Sequence, residues 1–303
     1  MTVSRSVAAQ QELAEERQAR RHHARWRTVR GRIGVYLLAS FFAVFCGFPF
    51  LWATITMFRQ DSDLYTTGKN PFEFTAAPTV EHITDLFTTT PFVTFIVNNV
   101  IIGVCTVAIT LVLSVPAAYA LARLTGRWGV PAAIAIFAVY LVPPTLLFLP
   151  LSRLIAVLGL QNTIWSLVVV YPGFTIPLSV WLLVGFFRSV PPDIEEQAQV
   201  DGYSRLGAMM RTVLPLVMPG IFTVVVFTFT LTMQDFIYAL SFTSSPDRTT
   251  ISVGVPTYLI KGDVLFWQSL MAAAMVVAIP VALIYNLFLR RFIQGFTLGA
   301  VKG

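Results

Sequence analysis

The sequence predicts an all-α membrane protein: six transmembrane helices, both ends in the cytoplasm, and a cytoplasmic helical loop between the fourth and fifth spans. Three observations carry this. First, 56% of the 303 residues are hydrophobic and only 12% are charged, whereas about a quarter of the residues of a soluble domain are charged. Second, the apolar residues gather in six long runs almost free of charge. Each is long enough for the roughly 20 helical residues that cross a hydrocarbon core. Third, lysine and arginine are distributed asymmetrically. With the N-terminus inside, 16 of the 21 fall on inner segments and five on outer ones. Basic residues beside apolar spans are retained on the inner face, so this bias orients the chain.

In order, residues 1–32 form a polar basic segment holding eight of the basic residues. Glu16 and Arg20 lie one helical turn apart and can pair. The segment reads as a solvated stretch beside the membrane, because the charged region and the apolar run after it are both too long for a secretory signal. The first span is 33–58. Residues 59–91 are polar, with Pro71, Pro78 and five acids. The second span is 92–122 and the third 128–152. After a short link, the fourth is 164–187. The fifth, 212–242, is interrupted only by Asp235. A polar segment, 243–263, leads to the sixth span, 264–289, followed by Arg290, Arg291 and a tail. This divides the chain into a basic segment 1–32, a transmembrane domain 33–293 with its inner loop at 189–215, and a tail 294–303. Pro49, Pro116, Pro143, Pro144, Pro172, Pro177, Pro219 and Pro280 lie within spans, where each removes a helix N–H and bends or breaks the chain.

Several chemistries are excluded. A phosphate-cradling loop needs Gly-Lys-Ser/Thr. The three lysines, Lys69, Lys261 and Lys302, are followed by Asn, Gly and Gly, so the chain is not expected to bind or hydrolyse ATP itself. No series of acids or histidines runs through the spans to carry protons. No nucleophile–base pair suggests a catalytic residue. His22, His23 and His82 lack metal-ligand spacing, so no metal site is expected. Cys46 and Cys105 sit inside apolar runs as small packing residues. The net charge of +6 is concentrated beside the membrane and does not indicate nucleic acid.

The chain is organised around 189–220, the one long polar interruption in its second half. Pro191 and Pro192 suit a helix start, where the first N–H groups lack partners. Asp193, Glu195 and Glu196 then lie near the positive dipole end. Asp201-Gly202 signals a turn. Ser204 can cap a second short helix, 205–213, ahead of Leu214-Pro215. Pieces this short are marginal alone in water, so the loop needs a surface to hold it.

Glu196-Gln197-Ala198, Gly202 four residues after Ala198, and Leu214-Pro215 resemble the EAA loop of ABC-importer permeases: Glu-Ala-Ala, three residues, Gly, nine residues, an aliphatic residue, any residue, Leu-Pro. Gln197 replaces the first Ala, and Thr212 stands at the aliphatic position, with Val213 beside it. The wider frame Glu-Glu-x-Ala-x-x-Asp-Gly and the closing Gly299-Ala300-Val301-Lys302-Gly303 are similar to the MalG-like subunit of the carbohydrate-uptake group. The resemblance implies an inner-membrane permease for a sugar, most often a di- or oligosaccharide. It implies a second, MalF-like permease, two ATPase subunits that bind ATP and Mg, and an extracytoplasmic sugar-binding protein received on 59–91 and 243–263. No cofactor is expected in this chain. The expected ATPase-coupling residues are Glu195, Glu196, Ala198, Asp201, Gly202, Arg205, Leu206, Leu214 and Pro215. In this reading Ile194, Ala198 and Leu206 face a groove on the ATPase, and Glu195, Glu196 and Arg205 make polar contacts at its rim.

Candidate substrate-path residues are Asn98, Asn99, Gln234, Asp235 and Tyr238. Asp235, with Gln234, either lines the sugar path or pairs with a neighbour and fixes packing. Asn98 and Asn99 bind sugar hydroxyls or bond another helix. Trp165, Tyr171 and Trp181 add aromatic faces. The alternative class is a stand-alone secondary transporter or channel, which requires coupling carboxylates or a repeated half; neither is seen.

Overall fold

The computed structural model describes residues 32–64 and 72–300, with side chains apart from those of Leu64 and residues 287–300. Expectations placed on residues 1–31 and on Lys302 lie outside the described residues. The chain divides into two units, Met1–Thr56 and Met57–Gly303. The described part of the first is an apolar helix, α1, Arg32–Met57, along which Phe41 and Phe45 stack one turn apart.

In the second unit a short helix α2, Asp61–Leu64, and a helix α3, Glu81–Thr88, precede α4, Phe92–Tyr119. α4 runs into a π turn, Ala120–Leu124, and a 3₁₀ turn, Gly126–Trp128. Then come α5, Gly129–Tyr140; α6, Pro144–Val157; α7, Ile164–Val170; and α8, Pro172–Ser189. α9, Pro192–Val200, and α10, Arg205–Ala208, form the loop between α8 and the next long helix. A second π turn, Met209–Val213, leads into α11, Leu214–Gln234. α12, Ile237–Phe242, and α13, Ile251–Leu259, are followed by a two-stranded antiparallel hairpin, β1 Ile260–Lys261 with β2 Val264–Leu265. α14, Trp267–Ala300, closes the described chain.

The bundle core is built by α4, α5, α8 and α11. At one end Tyr119, Val180, Leu183, Phe187, Val213 and Val217 are buried together. Toward the other, Ile102, Ile155, Leu167, Tyr171, Phe174 and Tyr238 form a second cluster. Small residues permit the close crossings, as is usual between apolar helices. A Cβ on Gly220 of α11 would lie 2.5 Å from the Phe186 ring of α8, and one on Gly254 of α13 would lie 2.4 Å from the Phe95 ring of α4. Thr106, Thr110 and Ser114, one turn apart on α4, are all fully buried, and the Thr110 hydroxyl meets that of Thr175 at 2.6 Å.

Five helices are long and apolar enough to cross a membrane, and six spans result if one bent pair counts as one. That pair is the expected third span. It is broken between Gly126–Tyr140 and Pro144–Val157 with a bend of 83°. Two consecutive prolines explain the break, since each removes an N–H and disfavours helix in the residue before it. The fifth span also differs from expectation. α11 ends at Gln234, and Asp235 is extended (φ −67°, ψ 127°), so 237–242 is a separate helix. The sixth begins at Trp267, because 260–265 forms the hairpin, and α14 continues as helix through the stretch expected to be a tail, up to Ala300.

Candidate functional site

The 189–215 loop folds as helix, turn, helix. Pro191 precedes α9 with an extended ψ of 135°, and Pro192 occupies its first turn. The exit from α9 shows why the motif has its spacing. The Tyr203 N–H donates to the Ala198 carbonyl at 3.0 Å, and the Gly202 N–H donates to that of Gln199 at 3.1 Å. These two bonds define a Schellman cap, in which the residue after the helix takes a left-handed conformation. Gly202 does so, with φ +92°, and glycine does this without a Cβ penalty. Ser204 then caps α10, its Oγ accepting from the Gly207 N–H at 3.2 Å. The expected helix 205–213 is α10 plus the π turn, which the Thr212 hydroxyl braces by donating to the Ala208 carbonyl at 2.6 Å. Leu214 and Pro215 restart regular helix as the first turn of α11.

The orientation of α9 corrects part of the expected partner face. Glu195 and Ala198 are only 5% and 4% exposed, and Ile194 packs against the buried cluster that includes Met209 and Val213. These three residues face the chain's own bundle. Tyr119 donates its hydroxyl to Glu195 Oε1, and the Arg123 Nε lies 3.6 Å from Glu195 Oε2. The outward face instead carries Glu196, Asp201 and Arg205, with Val200 87%, Leu206 66% and Met210 52% exposed. Tyr203 is also outward, its ring under the Arg211 guanidinium at 5.2 Å. Val200, Tyr203 and Met210 were missed in the sequence. In so short a helix the apolar residues do not define one face, so the sequence carried no signal for them.

A second feature is a cleft of about 750 Å³ where the two broken spans meet. It is lined by the Leu141–Thr145 break, by Tyr140, Tyr171 and Phe174, and by Gln234, Asp235 and Tyr238. The Tyr171 hydroxyl donates to Asp235 Oδ2 at 2.9 Å, and the Ala239 N–H donates to the same oxygen at 3.2 Å. The Ser252 hydroxyl donates to the Asp235 carbonyl at 2.5 Å. Asp235 thus holds the α11–α12 break open and also lines the cleft, so both readings of it have a structural basis. Gln234 lines the cleft with its side chain exposed. Tyr238 borders it but is 2% exposed; its hydroxyl donates to the Pro144 carbonyl and its ring packs on Phe174. Among the aromatic candidates, Tyr171 reaches the cleft, while Trp181 stacks on Phe137 and Trp165 is not among the lining residues.

Asn98 and Asn99 lie away from this cleft. The Asn98 Nδ2 donates to the Asp247 and Thr249 carbonyls at 3.1 and 2.9 Å. The Asn99 Oδ1 accepts from the Ile251 N–H at 2.6 Å, at the first turn of α13, and its Nδ2 donates to the Thr232 carbonyl. Both are buried, and their bonds fix the 243–250 loop and the start of α13 to α4, as in the packing alternative for them. Asn162, at φ 53°, does the same from the 158–163 link, its Oδ1 accepting from the Ser244 and Ser245 N–H groups at 2.9 Å. It was not singled out in the sequence; the short polar link between apolar runs was the available signal. Among the described residues no group of His, Cys, Asp and Glu is arranged to hold a metal.

Residues 24–297 match the family described as the binding-protein-dependent transport system inner membrane component. The sulfoquinovosyl glycerol transport system permease protein SmoH of Agrobacterium fabrum is 34% identical, covering 88% of this chain and 93% of that protein. The trehalose/maltose transport system permease protein MalG of Thermococcus litoralis is 31% identical, covering 90% and 97%. A chain in the crystal structure of a bacterial ABC transporter involved in the import of the acidic polysaccharide alginate superposes with a TM-score of 0.70 at 18% identity, covering 85% and 95%, which establishes the shared fold. The chain therefore belongs to the family of binding-protein-dependent transport system inner membrane components, and is a multi-pass membrane transport component.

Proposed function

We propose that this chain is one of two permease subunits of an ATP-driven importer for a sugar, most often a di- or oligosaccharide in this family, crossing the membrane six times with both termini and the 189–215 loop inside. The observation that carries the reading is the Gly202-capped loop. It presents Val200, Tyr203, Leu206 and Met210 outward, framed by Glu196, Asp201 and Arg205. An apolar helical knob with charged edges is the form that docks in a groove on another protein. A cytoplasmic ATPase subunit supplies that groove, because the chain has no phosphate loop of its own, and a second permease completes the path. A binding protein delivers solute to the outer loops.

The substrate class follows from the names of the relatives and from the cleft. Aromatic faces of Tyr140 and Tyr171 beside the Gln234 amide and the Asp235 carboxylate suit hydroxyl-rich rings. The test is Leu206→Glu beside Val200→Glu in the assembled transporter. Each is expected to abolish uptake and co-purification of the ATPase while the chain still inserts. Full uptake in both variants defeats the docking reading.

A further inference from the structure

The coupling loop is held to the bundle in two different ways, and the difference bears on how motion leaves it. α9 packs on the second π turn, and its Ile194 lies against the buried apolar cluster that includes Met209 and Val213. Contacts of this kind have no preferred direction. Toward α4, α9 makes a buried polar cluster. Tyr119 is the last residue of α4 and Arg123 lies in the π turn that follows. The Glu195 carboxylate takes the Tyr119 hydroxyl on one oxygen and faces the Arg123 guanidinium with the other. The same guanidinium donates from Nη2 to the Val190 carbonyl at 2.6 Å, where α8 ends. The Arg123 and Glu195 side chains are 12% and 7% exposed. A carboxylate desolvated to this degree is tolerated only while its partners stay in place, and its bonds are directional.

We infer that Glu195, through Tyr119 and Arg123, keys the loop to α4, so that α4 is obliged to follow when α9 moves. This rests on the importer reading above. α4 is then a connecting rod. From Tyr119 back to Asn98 it rises about 32 Å at 1.5 Å per residue, and at the far end Asn98 and Asn99 hold the carbonyls of Asp247 and Thr249 and the first turn of α13. A displacement of the inner loop is delivered in this way to the 243–250 loop on the opposite face. π turns recur at functional positions in helices, and Arg123 sits in one, where a change of register permits the guanidinium to track the carboxylate. Glu195 is a positioning residue: it touches neither solute nor nucleotide.

The test uses the whole importer in liposomes, with Cys46 and Cys105 replaced by serine and one cysteine placed by Pro246→Cys in the outer loop. Three quantities are read: ATPase rate, solute taken up per ATP hydrolysed, and the change in thiol-labelling rate at position 246 on adding ATP. For Glu195→Ala and Arg123→Ala we expect an assembled complex that still hydrolyses ATP, with solute per ATP falling several-fold and the ATP-dependent change in labelling lost. Tyr119→Phe falls in between. The exchange Glu195→Arg with Arg123→Glu is expected to restore both readouts in part. The inference is overturned if Glu195→Ala keeps wild-type solute per ATP and labelling change. It is equally overturned if ATPase activity and assembly vanish together and the exchange restores nothing, because Glu195 then serves only to fold the loop. A parent transporter showing no ATP-dependent uptake would instead remove the importer reading itself.

Discussion

Replacing Gly202 separates backbone conformation from side-chain contact as the reason the 189–215 loop carries a glycine there. Its φ is +92°, and a Cβ built there meets no atom within 4 Å. Within the chain, the cost of a side chain at this position is therefore conformational. Holding an L-residue in the left-handed region costs about 1–2 kcal/mol. One to two kcal/mol corresponds to roughly a 5- to 30-fold change in an equilibrium. The loop has little to set against that loss, because α9 has nine residues and α10 has four, too short to persist alone. Asparagine accepts the left-handed region more readily than other side chains, and a β-branched residue accepts it least. Uptake of labelled sugar, normalised to the amount of assembled complex, is therefore expected to fall in the order wild type, Gly202→Asn, Gly202→Ala, Gly202→Val. If asparagine is as damaging as valine and alanine is harmless, side-chain volume at a partner surface is the cause and the capping argument fails. Undiminished uptake in Gly202→Val would remove the loop from the mechanism.

Other expectations follow from the same geometry. Asn99→Ala leaves the Ile251 N–H without its cap and should lower the stability of the purified transporter by about 0.5–2 kcal/mol, while the solute concentration for half-maximal uptake stays unchanged; thermal unfolding and uptake titrations read the two effects. Asp235→Ala leaves the buried Tyr171 hydroxyl unpaired, at a cost of about 1–3 kcal/mol. The double change with Tyr171→Phe should recover part of the lost stability, and Gln234→Ala should weaken half-saturation without lowering the melting temperature. In the polar segment between the first two spans, the Thr75 hydroxyl and the Ala76 and Thr75 N–H groups hold the Asp63 carboxyl below its ordinary pKa. A carboxylate lowered in the folded state contributes stability above its ordinary pKa, near 4, and loses it as pH falls further. Protection of the Thr75 and Ala76 amides from exchange, with the intrinsic pH dependence of the exchange chemistry divided out, should be nearly constant from neutral to mildly acidic pH and fall below about pH 4.

The parts legible in the sequence are those where spacing encodes geometry. Gly202 stands four residues after Ala198 because the two are fixed positions of one helix cap, and Leu214-Pro215 marks the return to regular helix after a π turn. The charge-free runs 33–58, 92–122 and 164–187 also match continuous helical stretches within a few residues, since charge is costly in hydrocarbon. The phase of α9 was not. In nine residues, Ile194, Ala198 and Val200 do not define one face, and a carboxylate such as Glu195 reads as exposed until Tyr119 and Arg123, more than seventy residues earlier in the chain, are placed beside it. Breaks inside apolar runs were equally hidden. Pro143-Pro144 reads as a kink, yet the chain turns by 83° there, and Asp235 reads as a lone charge within a span when it stands between two helices. Asn98 and Asn99 bond backbone groups some 150 residues away, a distance over which local pattern carries no information.

The measurement that bears most directly on the central claim is reconstitution. The chain is purified gently from its native membrane, the companions that remain with it are identified, and uptake into liposomes is followed with and without ATP. The account predicts a second permease and an ATPase in the complex, uptake that requires ATP, and loss of both uptake and coupled ATPase activity on Gly202→Val. A chain that purifies alone and transports solute without ATP would contradict it.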